Sequence, residues 1–194
     1  MRIDAIWCVS TNVVCIVPSY YMYKNNLIEW VLYLMTGVVS ILYHVHRGAT
    51  PMCAFLDYEA IKTVDLVMSD MCMCWITGYV KNANLFLFLS IDMYIVYVRN
   101  ELFRWILYSI WVSPAFMYIF YNHRKYNMRN FMCGVMCSVG DLTFYKFLAD
   151  KYPLYYNWLH GVHHIFGFMS IYFYTKTVSV STVNRYEALG ECGL

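Results

Sequence analysis

The stretch WLHGVHHIFGF, residues 158–168, sets His160, His163 and His164 among apolar neighbours. On a helix, residues four apart stack on one face with about 5–6 Å between Cβ atoms, close enough for two imidazoles to hold one cation. His160 and His164 have that spacing, whereas His163 is offset around the helix and better placed to bond a neighbouring one. Ser40 and His44 repeat the four-residue spacing in SILYH, and Asp65 stands in a third apolar run. A histidine pair alone in such a segment more often bonds between helices than binds metal. The full set points further. Three neutral imidazoles with a fourth position open are the donor set of a catalytic zinc, so zinc held by His44, His160 and His164 is expected. Asp65 is then the expected base or water-holding group, and Ser40 the donor that fixes the imidazole or the carboxylate.

Those side chains need elements to carry them, and composition says of what kind. The 194 residues are 61% hydrophobic, 20% aromatic and 13% charged. Soluble domains sit at roughly half apolar and a quarter charged. An all-α, polytopic integral membrane protein is expected. At about 20 apolar residues per crossing of a bilayer core, the chain divides into seven spans. Their limits are 5–23, 27–47, 60–80, 82–99, 101–122, 129–149 and 154–175, which makes residues 1–175 a seven-transmembrane helix bundle and 176–194 a short polar tail. The N-terminus reads as the first span, because no small-residue cleavage pattern follows it. Successive spans run antiparallel. His44 near the end of span two, Asp65 near the start of span three, and His160 and His164 near the start of span seven therefore share one depth, on the N-terminal side.

A net charge of +2, with no basic run and no phosphate-binding loop, excludes nucleic acid as a partner. The lipid bilayer itself supplies the expected partner, a membrane lipid substrate. Cys8, Cys15, Cys72, Cys74, Cys133 and Cys137 lie in apolar runs, where a thiol behaves as a small hydrophobe; Cys53 and Cys192 lie outside them. Asp70 and Asp92 are expected to bond neighbouring helices or to face a hydrated cavity, and Asp141 is a candidate cavity residue. His46 reads as interfacial and His123 as solvated. Basic residues divide evenly between the two sides. The cluster Arg124, Lys125 and Arg129 tips the C-terminus to the cytoplasm, in the plasma membrane or a secretory-pathway membrane.

S-x-x-x-H in span two (Ser40, His44), Asp65 in span three and H-x-x-x-H in span seven (His160, His164) resemble the signature of the CREST superfamily of seven-span metal-dependent hydrolases. Within that group, SILYHVHRGATPMCAFLDYEAIKTVDLVMSDMCMCW and NWLHGVHH look most like the transmembrane-protein-8 branch: a tyrosine-histidine ending of span two, a short loop leading to Cys53, and Asp65 followed by Trp75. His163 departs from the pattern, standing where that branch usually has Trp. The resemblance implies zinc and one of two functions. The first is intramembrane hydrolysis of a lipid ester or amide. The alternative is non-enzymatic membrane remodelling, as in the branch's muscle-cell fusion protein myomaker, with zinc stapling helices together. MRIDAIW lacks the acidic, calcium-binding start of alkaline ceramidases, and Cys192 in ECGL fails the prenylation box and suits palmitoylation at most. Hydrolysis is the first expectation, because a purely structural zinc needs no positioned carboxylate such as Asp65.

Overall fold

The computed structural model describes residues 3–25, 30–48, 57–81, 101–149 and 151–191, and among them every regular element is helical. We label the helices α1 (Ile3–Thr11), α2 (Ile16–Lys24), α3 (Trp30–Gly48), α4 (Tyr58–Lys81), α5 (Glu101–Tyr121), α6 (Met128–Leu142) and α7 (Tyr156–Glu191). A 3-10 segment, Asn12–Cys15, joins α1 to α2, and a π-helical segment, Thr143–Ala149, extends α6. Helices cover five of the seven expected segments with ends close to the sequence-derived limits, and the last begins near its expected start. The remaining segment, 82–99, lies outside the described residues, as do Asp92, Cys53 and Cys192.

Local chemistry explains the ends. Pro18 has no N–H for the carbonyl of Val14, so the preceding turn tightens into the 3-10 segment instead of continuing as α-helix. Asp57 caps α4 by accepting from Glu59 N at 3.2 Å, and Asn127 caps α6 by accepting from Asn130 N at 3.1 Å. The last helix runs beyond residue 175, the expected limit of the seventh span. Between Tyr174 and Leu189 the chain has no glycine or proline to break it, and α7 continues to Glu191 with Thr177 and Val178 fully buried.

Helix α7 is the centre of the assembly, packing along α6 and touching α1, α2 and α4; α3 packs on α2 and α4, and α4 on α5. Glycines set the closest approaches. A Cβ on Gly134 would sit 2.6 Å from the Tyr174 ring, and one on Gly161 would sit 2.8 Å from Trp7 Cδ1. Trp7 also donates from Nε1 to the Trp158 carbonyl at 3.1 Å, so Gly161 and these tryptophans fix α1 against the start of α7. Gly161→Val is expected to push α1 away, at a cost of about 1–3 kcal/mol for an overpacked contact. Thermal unfolding in detergent checks this, and an unchanged midpoint would contradict the close contact.

The distribution of polarity is inverted. Met117, Phe120, Met136 and Phe147 are 63–70% exposed, while Asn12, Ser170, Thr175 and Thr177 are fully buried. On α6 the outward face is Met132, Met136 and Val139, and the inward face is Phe131, Gly134 and Asp141. Among the described residues, Met128–Ala149 is the one helix long and apolar enough by itself to cross a membrane; Trp30–His46 and Val112–Tyr121 are apolar over shorter lengths.

Candidate metal centre

Four side chains from three helices converge. Cys8 of α1, His44 of α3, and His160 and His164 of α7 are all buried, and one donor atom from each lies within 4.8 Å of the other three. The imidazole centroids form a near-equilateral triangle: 4.9 Å for His44–His160, 4.9 Å for His44–His164 and 4.6 Å for His160–His164. Three imidazoles bound tetrahedrally to zinc, with Zn–N near 2.0–2.1 Å, would have centroids about 5 Å apart. The triangle already has that size. Cys8 Sγ lies 3.5 Å from His44 Nδ1. The sulfur–nitrogen edge of such a tetrahedron is about 3.5 Å, given Zn–S of about 2.3 Å. The donor set suits zinc as well, thiolate and imidazole being its two commonest ligands, and the group is able to hold a metal ion.

Hydrogen bonds around the cluster orient one of its rings. Thr11 Oγ1 donates to the Cys8 carbonyl at 2.8 Å, which uses its single proton. At 3.4 Å from His164 Nδ1 the same oxygen is left as an acceptor, which suits the tautomer with the proton on Nδ1. In that tautomer the Nε2 lone pair is free for a metal. Tyr156 stacks on His160 with centroids 5.3 Å apart, and Tyr43 meets His44 edge-on at 4.8 Å, so aromatic walls hold both rings.

The other expected site residues lie beside the cluster. Ser40, buried one turn before His44, donates to the Asp65 carboxylate, joining α3 to α4. Asp65 Oδ1 is a buried acceptor without a hydrogen-bond partner among the described residues. His163 pairs through Nδ1 with Asp141 Oδ1 on α6. Its ring stacks on Tyr145 at 4.7 Å and borders the triangle, 5.1 Å from the His160 ring and 5.5 Å from that of His164. Asp141 and His163, together with Asn12, Thr36, Ser40 and His164, line a cavity of about 70 Å³, room for several water molecules. His46 stacks on Tyr58 at 5.9 Å, away from the centre, and His123 is exposed. Asp70 lies on α4, its side chain outside the described residues.

Cys8 is the member that reading the sequence missed. A thiol in an apolar run looks like packing, and here it is a candidate ligand. Its position offered a signal: Cys8 falls near the start of the first expected span, which would bring it to the depth expected of His44, His160 and His164.

No family model matches the chain, and neither a curated protein nor a solved structure does.

Proposed function

We propose that the protein is a seven-span integral membrane hydrolase of CREST type, using zinc at the Cys8/His44/His160/His164 cluster to cleave a lipid ester or amide. One observation carries this reading: metal-binding side chains from three sequence-distant helices meet beside a carboxylate, Asp65, whose second oxygen is buried and unengaged among the described residues. Such an arrangement is costly in a fold unless it binds something. The membrane setting is supported by the inverted polarity, since Met, Phe and Val on outer faces with Thr, Ser, Asn and His inside is what a bundle in lipid requires. Zinc, when bound, supplies the Lewis acid that polarises a carbonyl and activates water. The chain's own residues do the rest. Asp65 accepts the proton of the attacking water, Ser40 holds the carboxylate in place, and Asp141 fixes the His163 ring at the wall of the cavity. The bundle shields the site from bulk water, which suits a substrate that arrives through the lipid.

The second reading is a non-enzymatic remodelling protein like myomaker, its zinc only a staple between α1, α3 and α7. One observation favours it: with Cys8 the cluster offers four protein donors, and closed four-ligand sites are structural. Zinc-loaded protein reconstituted in bilayers with ceramides, phospholipids or glycosylphosphatidylinositol lipids separates the two. Fatty-acid release above an Asp65→Asn control supports hydrolysis, and its absence from all three rejects it. The same proposal puts the C-terminus in the cytoplasm, with the protein in the plasma membrane or a secretory-pathway membrane. A glycosylation acceptor engineered near Cys192 is expected to stay unmodified, and efficient glycosylation would invert the topology.

A further inference from the structure

Resting on the metal-site reading above, we infer that Cys8 is a displaceable fourth ligand: its thiolate closes the coordination sphere at rest, and swinging α1 outwards opens the position that hydrolysis needs. The two readings of function conflict over that position, since a catalytic zinc keeps one open while four protein donors surround this one. A ligand able to leave reconciles them.

The attachment of α1 makes Cys8 the ligand best able to leave. His160 and His164 stand on α7, the helix at the centre of the packing, and His44 on α3, which packs on both α2 and α4. Cys8 stands on α1, nine residues long and bounded at its C-terminal end by the 3-10 segment Asn12–Cys15. Short 3-10 stretches within helices are common places for a hinge. The core anchors the end of this segment and the chain beyond it: Cys15, its last residue, and Met22 on α2 belong to the buried apolar cluster, 3% and 0% exposed. On the near side α1 packs on α3 and along α7, with Trp7 against Trp158 and Thr11 beside His164 as side-chain contacts that an outward swing would have to break. Asn12, in the hinge, is fully buried and lines the cavity, with Oδ1 lacking a partner among the described residues. The cavity, with room for several water molecules, lies next to the segment that has to move.

The exchange balances without redox chemistry. The metal–sulfur bond breaks, the thiolate leaves with its electron pair, and it becomes a neutral thiol by taking a proton from the water molecule that enters. No electron is gained or lost, and net charge at the centre is conserved.

Cobalt(II) in place of zinc makes the ligand visible. The full-length protein, purified in detergent and loaded with cobalt, is expected to show a thiolate-to-cobalt charge-transfer band. Cys8→Ala should lose that band yet retain cobalt through three imidazoles, while Cys15→Ala should keep both. Azide, a small anion that fills open positions, is expected to shift the cobalt spectrum of Cys8→Ala at low concentration. In the wild type it should act only at much higher concentration and with loss of the charge-transfer band. Cobalt bound without a thiolate band, or azide acting equally on both proteins, overturns the inference and leaves the histidine site standing. A thiolate band that no azide concentration diminishes shows a permanent ligand and also overturns it. A wild type that binds no cobalt overturns the metal reading itself. The wild-type spectrum is decisive even if Cys8→Ala does not fold.

Discussion

His160→Ala combined with His164→Ala is expected to empty the protein of metal, from about one zinc per chain to background, because two of the four candidate donors are lost from one helix. Structural zinc sites hold their ion with about 10–16 kcal/mol near neutral pH, and two remaining ligands retain little of that. The helices the ion joins should loosen as well: α1 meets α3 and α7 where Cys8, His44 and His164 converge. Lower thermal stability and faster proteolysis of the variant, reproduced in the wild type by a chelator, are the expected companions. His163→Ala is the control that fixes the register. Its ring pairs with Asp141 and faces α6, so metal content should hold while the α6–α7 contact weakens. Metal lost from His163→Ala and kept by His164→Ala would place the ion one residue away from the triangle.

Asp65→Asn should act in the opposite way, keeping metal and fold while lowering lipid turnover by about two to four orders of magnitude, the usual contribution of a general base. The amide preserves the shape of the carboxylate and still accepts from Ser40 through its oxygen, so the α3–α4 contact survives. What it cannot do is take a proton from water. If the metal is only a staple, the same substitution leaves cell fusion or membrane remodelling nearly intact, whereas loss of His160 abolishes it by releasing the bundle. Metal content, thermal midpoint and turnover measured on one preparation distinguish these outcomes. A fall in turnover that merely tracks lost metal would remove Asp65 from the chemistry.

The histidine triangle was legible in the sequence because two simple rules converge on it. Spacing of four puts His160 and His164 on one helical face, and counting depth along antiparallel spans brings His44 to their level. Helix limits were legible for the same reason, long apolar runs being closed by polar connectors. Cys8 was not, since its residue type has a bland use in any apolar helix and its neighbours carry no spacing signal. The Asp141–His163 pair was half legible: each residue stood out as polar in an apolar run, but joining them requires knowing that α6 lies along α7. The 3-10 break was written in Pro18, whose missing N–H acts one turn earlier, yet a proline six residues beyond Asn12 reads as easily as a mild kink. The extent of α7 beyond residue 175 was not legible, because falling hydrophobicity marks the limit of an apolar run and not the end of a helix.

X-ray absorption at the zinc edge, on protein purified without added chelator, is the decisive measurement for the metal centre. About one zinc per chain is expected, with imidazole nitrogens at about 2.0–2.1 Å and a single sulfur at about 2.3 Å from Cys8. Absence of zinc, or a shell of oxygens without imidazole scattering, would contradict the metal-site reading.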